Sequence, residues 1–276
     1  MAFDFDDIDQ WVTTDTRDGL MSRIGQNLCV GRGFSVATLN VDHLVKLEKD
    51  PEFRAAYAAQ DFVVADGNPI VWMRRIAGHR TALVPGSELV EPVAEMAAQL
   101  GVPVALIGAT DYALDAAAGK LSEDHKDLVV SFTAAPQLGF DPLGPEADAL
   151  IERLRDSSAG LVFLALGAPK QEVFAARIRA AVPHIGILSI GAGLDFLAGS
   201  QRRAPVFVRR IAMEWAWRIL MNPRRLLVRY IRCAGVLPRH IRRAYRARQE
   251  AKSRLGFVSA YPKNEGFSAR RDNTQL

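Results

Sequence analysis

The feature that most constrains this chain is an alternation of two hydrophobic periods that begins after residue 27 and runs to residue 190. Short apolar runs bounded by glycine or polar turns trade places with longer segments whose apolar residues recur every three to four positions. A short run with no polar side fits a strand buried on both faces, and the helical segments between such runs supply the cover. The order therefore predicts an α/β fold, a parallel sheet covered by helices. The runs lie near 33–39, 61–65, 103–107, 127–133, 160–166 and 185–190, and the helical spacing near 43–59, 69–78, 86–100, 111–122, 145–156 and 169–181. Ser87, Asp111 and Pro169 stand where helix starts are expected.

In an open parallel sheet the ligand crevice forms beyond the carboxyl ends of the strands. The residues there are Thr38 and Asn40 after the first run, Asp66, Gly67 and Asn68 after the second, and Gly108 and Thr110 after the third. Gly167, Lys170 and Gln171 follow the fifth run, and Gly191 and Asp195 the sixth. In Val63-Val64-Ala65-Asp66-Gly67-Asn68-Pro69 an apolar strand delivers a carboxylate into a turn before a Pro-started helix. Such a carboxylate can act as a general base, worth roughly 10² to 10⁴ in rate when correctly placed. A turn in which Asp66 only caps the next helix is the plainer alternative, and local sequence alone favours it. Thr38 and Asn40 can hydrogen-bond sugar hydroxyls or cap the helix at His43. Leu166-Gly167-Ala168-Pro169-Lys170-Gln171-Glu172 sets a glycine turn, an ammonium and an amide at a helix start, which suits a diphosphate and equally suits an ordinary surface loop.

Charge divides the chain more sharply than its total of +4 suggests. Residues 1–200 hold 16 Lys and Arg against 27 Asp and Glu, a net of −11, whereas residues 201–250 hold 14 Arg against Glu214 and Glu250, a net of +12. The division predicts a core over 1–200, an Arg-rich appendage of amphipathic helices over 201–250, and a disordered tail over 251–276. In the appendage Arg210, Glu214 and Arg218 lie four apart on one stripe. After Pro223 come Arg225, Arg229 and Arg232, until Gly235 and Pro238 interrupt the pattern.

Several function classes recede on the same reading. Cys29 and Cys233 stand alone with no partner at zinc-ligand spacing, which points to a reducing compartment and no structural metal. The acidic start MAFDFDDIDQW lacks the basic and apolar stretches of a secretory signal. No run reaches the roughly 18 apolar residues of a spanning helix, so membrane contact is expected to be peripheral. Asp4-Phe5-Asp6 and Asp7-Ile8-Asp9 match a short metal-binding pattern, a weak signal at an irregular terminus. Gly191-Ala192-Gly193 lacks the third glycine of a dinucleotide fingerprint, since Phe196 stands in its place. An Arg-rich helix with aromatic neighbours can also grip nucleic-acid phosphates without catalysis, but the acidic body and the lack of a groove-reading helix motif weigh against that alternative.

Five ordered segments resemble the WecG/TagA/CpsF family of glycosyltransferases, from about Asn27 to Tyr230. They are Thr38-Leu39-Asn40; Ala65-Asp66-Gly67-Asn68-Pro69-Ile70-Val71-Trp72; Pro85-Gly86-Ser87-Glu88-Leu89; Leu166 to Glu172; and Arg203-Ala204-Pro205 with Glu214-Trp215-Ala216-Trp217-Arg218 and Asn222-Pro223-Arg224-Arg225. The resemblance implies an inverting transferase with a Rossmann-like core and no cofactor. It implies a UDP-sugar donor and a polyprenyl-diphosphate-linked sugar acceptor, in cell-surface polysaccharide or teichoic-acid-type polymer synthesis at the inner face of the plasma membrane. It also implies that Asp66 is the catalytic base, reversing the plainer reading, and that Thr38 and Asn40 position substrate. Asn68, Gly108, Lys170, Gln171 and Asp195 complete the expected substrate site. Arg218, Arg225 and Arg229 are expected to neutralise the departing diphosphate in place of a metal. Two positions depart from the pattern: Leu83 stands where the family usually carries arginine, and Glu88 where it carries aspartate. The departures leave the activity class standing and open the donor to glucose or another hexose. The appendage, with Trp215, Trp217 and Tyr230 as interfacial anchors, is expected to hold an anionic membrane, at about 1 kcal/mol per basic group near the surface. The resemblance also admits a homo-oligomer.

Overall fold

The computed structural model describes residues 8–201 and 204–259, without the side chains of Asp9, Val206, Arg210, Arg225 and residues 254–259. Six strands, β1 (Phe34–Leu39), β2 (Phe62–Ala65), β3 (Val104–Gly108), β4 (Val130–Ala134), β5 (Leu161–Ala165) and β6 (Gly186–Ser189), form one sheet. Their order is β2-β1-β6-β5-β3-β4, and every pair is parallel. Each strand overlaps one of the expected runs, and the fold is α/β and Rossmann-like. Alternate residues of a strand serve opposite layers: in β1, Phe34 and Val36 pack to one side and Ala37 and Leu39 to the other.

On the first side lie α2 (Arg17–Cys29), α6 (Val90–Gln99) and α7 (Asp111–Asp124), anchored by Leu20, Ile24, Val93, Ala97, Leu114 and Ala117. The second side carries α3 (Val41–Lys49), α4 (Pro51–Ala58) and α5 (Asn68–Ala77) over one half, and α8 (Pro145–Asp156) and α9 (Lys170–Ala181) over the other. Both faces of the sheet are thereby covered, which is why most of its strands read as largely apolar runs; the edge strand β4 is only half-buried.

The structure departs from the sequence expectations where local chemistry or packing outweighs spacing. A short helix α1 (Ile8–Trp11) and the longer α2 precede β1, and Thr16 caps α2 by accepting from Gly19 N at 3.1 Å. Leu20, Ile24 and Leu28 form its buried stripe, while Gly19 and Gly25 weaken its helical signal. The single helix expected over 43–59 is two, because Pro51 pushes Asp50 into extended backbone and Asp50 then caps α4 by accepting from Phe53 N at 3.0 Å. The start of the segment 86–100 is a 3₁₀ turn, Gly86–Glu88, ahead of α6. Thr110 rather than Asp111 caps α7.

Beyond β6 come α10 (Gly193–Leu197), α11 (Val206–Arg210), α12 (Glu214–Met221) and α13 (Pro223–Ser259). The first basic helix expected is thus split, with Ala212 between the two pieces at φ 59°. The expected interruption at Gly235 and Pro238 is absent, since α13 continues through both. A helix-interior proline costs about 3 kcal/mol. Here α13 lies along α5 and α3, with Cys233 and Ala244 buried in the same apolar cluster as Leu44 and Ile70, and that packing offsets the cost. Part of the expected disordered tail, through Ser259, is therefore helical; residues 260–276 lie outside the described residues. The acidic patches at Asp4, Asp6 and Asp7 also lie outside them, as does the side chain of Asp9.

Candidate active site

Parallel pairing brings all strand ends to one edge of the sheet. Leu39 of β1 pairs with Ala65 of β2, and Asp66 N donates to the Leu39 carbonyl at 2.7 Å, so the first residue beyond β2 is pinned to the end of β1. Val84 N donates to the Ala65 carbonyl at 2.8 Å, which leads the chain around the site toward Glu88. The Thr38 hydroxyl donates to Asp66 Oδ2 at 3.3 Å. Asp66 retains some exposed surface, but protein encloses its carboxylate. Burial pushes its pKa up to about 6; Arg218 and the Thr38 hydrogen bond oppose the rise, and the negative charges of Glu214 and Glu88 add to it.

A buried relay holds the end of β1. The Tyr57 hydroxyl donates to the Thr38 carbonyl at 2.7 Å and lies 3.2 Å from His43 Nδ1. Burial lowers the His43 pKa to about 3, with Lys46 adding to the effect, so the ring is neutral. Because the Tyr57 proton is committed to the carbonyl, His43 Nδ1–H donates to the Tyr57 oxygen, and Nε2 accepts from Asn40 Nδ2 at 3.3 Å. Asn40 Oδ1 accepts from His43 N at 3.1 Å, capping α3. Asn40 thus caps the helix through Oδ1 and holds the His43 ring through Nδ2, with its Cβ against Gly67 of the Asp66 loop. Asn68 opens α5 one residue beyond Gly67, half-exposed, with no side-chain hydrogen bond to the described residues.

The other strand-end residues divide by what occupies them. Gln171 is buried, and its Oε1 accepts from Gly167 N at 3.3 Å and Gly191 N at 3.2 Å, while its Nε2 donates to Glu172 Oε1 at 2.8 Å. Its amide therefore braces the loops after β5 and β6 against each other. Glu172 is fully buried with no partner for Oε2 among the described residues, and burial raises its pKa to about 7. Gly108 has φ 113°, and a Cβ there would stand 2.4 Å from the Ala165 carbonyl oxygen, so contact between β3 and β5 explains the glycine. Asp195 accepts from Ser200 Oγ at 3.2 Å and Gln201 Nε2 at 3.0 Å, at the start of the appendage. Lys170, in the first turn of α9, is half-exposed and makes no ion pair with the described residues.

Of the three expected diphosphate arginines, Arg218 acts directly on Asp66. Its guanidinium pairs with Glu214 at 3.1 Å and lies 5.7 Å from the centre of the Phe196 ring. Arg229 instead approaches Asp42 of α3 at 3.2 Å. Lys46 binds the same carboxylate at 2.5 Å and donates to the Ala168 carbonyl at 3.0 Å. The Arg225 side chain lies outside the described residues. Sequence reasoning had the Glu214–Arg218 spacing in hand as a helix stripe but gave Glu214 no part in the site. It missed Tyr57 and Asp42, which carry no local signal.

A family model described as Glycosyl transferase WecG/TagA/CpsF family matches residues 6–254. The match spans every strand of the sheet, the Asp66 loop and the helices that bring Arg218 to it. With its sheet, its site and its appendage all inside that span, the chain belongs to the Glycosyl transferase WecG/TagA/CpsF family, the glycosyltransferases of cell-surface polymer synthesis.

Proposed function

We propose that the protein transfers a sugar from a UDP-sugar to a polyprenyl-diphosphate-linked sugar acceptor with inversion, using Asp66 as general base. The observation that carries this reading is the enclosed Asp66 carboxylate, poised at about pH 6, with the Thr38 hydroxyl on one oxygen and Arg218 close by. A base of that pKa is ionised at neutral pH yet holds a proton far better than an ordinary carboxylate. Asp66 takes the proton from the acceptor hydroxyl as that oxygen bonds to the anomeric carbon. The bond from that carbon to the diphosphate breaks, and UDP leaves with the electron pair. Guanidinium groups of the appendage, Arg218 foremost, stabilise the charge on the leaving diphosphate. Asn40 at the end of β1 and Asn68 at the start of α5 carry amides suited to sugar hydroxyls, and Lys170 carries an ammonium in the first turn of α9.

The donor is a hexose, in keeping with Leu83 and Glu88 standing where the family pattern has arginine and aspartate. The acceptor lies in a membrane that the protein meets from one side. No described helix is long and apolar enough to cross a membrane. The appendage nonetheless exposes Phe207, Ile211, Leu220, Leu227 and Ile231 among its arginines, a surface suited to an anionic leaflet. A nucleic-acid grip is disfavoured by the net charge of −11 over residues 1–200 and the lack of a groove-reading helix motif.

The test is UDP release from a panel of UDP-sugars with a short-chain polyprenyl-diphosphate GlcNAc acceptor, with and without EDTA, comparing wild type with Asp66→Asn. Acceptor-dependent, EDTA-resistant turnover of one donor is expected, reduced by roughly 10² to 10⁴ in the variant. A variant as active as wild type refutes Asp66 as the base.

A further inference from the structure

Among the described side chains, two arginines of the C-terminal helices reach Asp66 or the Glu88 turn beside it, and each pairs with an acid. Arg218 pairs with Glu214 on its own helix. The second, Arg209 of α11, pairs through Nη1 with Glu88 Oε1 at 3.3 Å, across 121 residues of chain. The Glu88 turn is part of the site by packing as well as by charge. A Cβ on Gly86 would stand 3.2 Å from both Thr38 Cγ2 and the Ser189 carbonyl oxygen, so the turn Gly86–Glu88 is pressed onto the strand ends that hold Asp66. Arg17 of α2 donates to the Glu88 carbonyl at 3.4 Å and steadies the turn from outside. Arg209 has its stem fixed as well, since Nε donates to the Ala204 carbonyl at 3.2 Å.

We propose that Arg209 is a diphosphate-binding residue of this site, held on Glu88 while the site is empty and transferred to the diphosphate when substrate binds. The inference rests on the transferase reading above and adds a cation that the sequence did not single out. Arg209 and Glu88 are about one-third exposed and meet through a single long contact, the kind of pair that contributes little stability and exchanges partners readily. A diphosphate offers a guanidinium several charged oxygens in a geometry that one carboxylate oxygen does not match. The guanidinium is planar and rigid, so its turn from Glu88 toward the diphosphate carries Nε off Ala204 as well, a movement of the side chain that leaves α11 in place. Arg209 and Arg218 then approach the leaving group from two elements, Arg209 from beside the Glu88 turn and Arg218 from above Phe196. Both the donor and the lipid-linked acceptor carry this chemistry, and the experiment separates them.

The test is calorimetric titration of the full-length protein with UDP in one arm and farnesyl diphosphate in the other. Four proteins are compared: wild type, Arg209→Gln, Glu88→Gln and the double variant. Arg209→Gln is expected to weaken one of the two ligands about tenfold, the size of one lost charged hydrogen-bonding group. The ligand affected identifies donor or acceptor. Glu88→Gln is expected to tighten the same ligand severalfold by releasing Arg209, and to lose that effect in the double variant. Equal affinity of Arg209→Gln and wild type for both ligands overturns the proposal. So does weaker or unchanged binding by Glu88→Gln, which makes the pair a structural strut. Tightening of equal size in both backgrounds overturns it too, because Glu88 then acts only by repelling the ligand. If wild type binds neither ligand, the transferase reading falls and this inference falls with it.

Discussion

Thr38→Val removes one hydroxyl from beside Asp66 and leaves the shape of the strand end nearly unchanged, so it isolates what that hydroxyl does to the base. The Thr38 hydroxyl donates to Asp66 Oδ2 at 3.3 Å, a contact only the ionised carboxylate exploits fully. The Thr38 carbonyl still receives the Tyr57 hydroxyl in the variant, so the buried relay survives. A hydrogen bond to a charged group is worth about 1.5–3 kcal/mol, and its length here argues for about 1 kcal/mol. Divided by the free energy of one pH unit, that moves the acid limb of kcat/KM up by about 0.7 pH units. The wild-type limb is expected near pH 6, where Asp66 titrates. At pH 6 the ionised fraction then falls from about one half to about one sixth, while at pH 8 both proteins are almost fully ionised. The assay is a pH–rate profile of UDP release at low substrate, from pH 5 to 9. Any fall in the alkaline plateau reports a direct role of Thr38 in binding substrate and is independent of the position of the limb. A wild-type limb near pH 4, or a variant limb that does not move upward, refutes the coupling.

Glu172→Gln tests the other raised carboxyl. Its pKa of about 7 in the folded protein lies above the ordinary 4.5, so the wild type carries no ionisation penalty below pH 4.5, a growing one between 4.5 and 7, and the full penalty above 7. The stability of the variant relative to wild type, followed by urea unfolding, should therefore rise by about 3 kcal/mol from pH 4.5 to pH 8; parallel curves refute the raised pKa. Ala212 sits at φ 59°, a conformation that costs a non-glycine residue about 1 kcal/mol. Ala212→Gly should raise the melting temperature by about 2–4 °C, and a lower one would contradict the strain. Replacing exposed Leu220 and Ile231 with glutamate should reduce flotation with anionic liposomes without changing the melting temperature, and equal flotation would remove the membrane surface from that face. Point variants are preferable to truncation at Ser200, because Cys233 and Ala244 of α13 belong to the buried core.

What could be read in advance follows the range of the interactions concerned. Strands buried on both faces lack a polar face, so β1, β2, β3, β5 and β6 stood out as mostly apolar runs, while the edge strand β4 is only half-buried and carries Ser131 and Thr133; Asp66 stood out as the carboxylate at the end of β2. The order of the sheet did not, because insertion of β6 between β1 and β5 is a contact between distant segments. Pro51 shows a local rule that outweighs spacing, and Pro238 shows packing that outweighs a local rule. Thr38 and Asn40 were legible as strand-end polar groups. The Tyr57–His43 contact that orients Asn40 was not, since both rings are buried and Tyr57 has the pattern of an ordinary core aromatic. Arg229 was expected over the diphosphate from the family resemblance, and the acid it approaches, Asp42, sits on a helix that no local pattern could bring near it.

On the proposed function, the base and the cations that serve it come from separate parts of the chain. Asp66 and Thr38 belong to the first two strands of the sheet, whereas Arg209 and Arg218 belong to short helices joined to it by one connection after α10. Leaving-group and lipid preferences can therefore be altered in a stretch that contributes no atom to proton abstraction. On the proposed function, a mutant library confined to residues 204–221 that keeps Glu214 and Arg218, the two groups there whose charge acts on Asp66, would explore new donors and acceptors with the base unaltered, which makes these helices the natural place to retarget the enzyme.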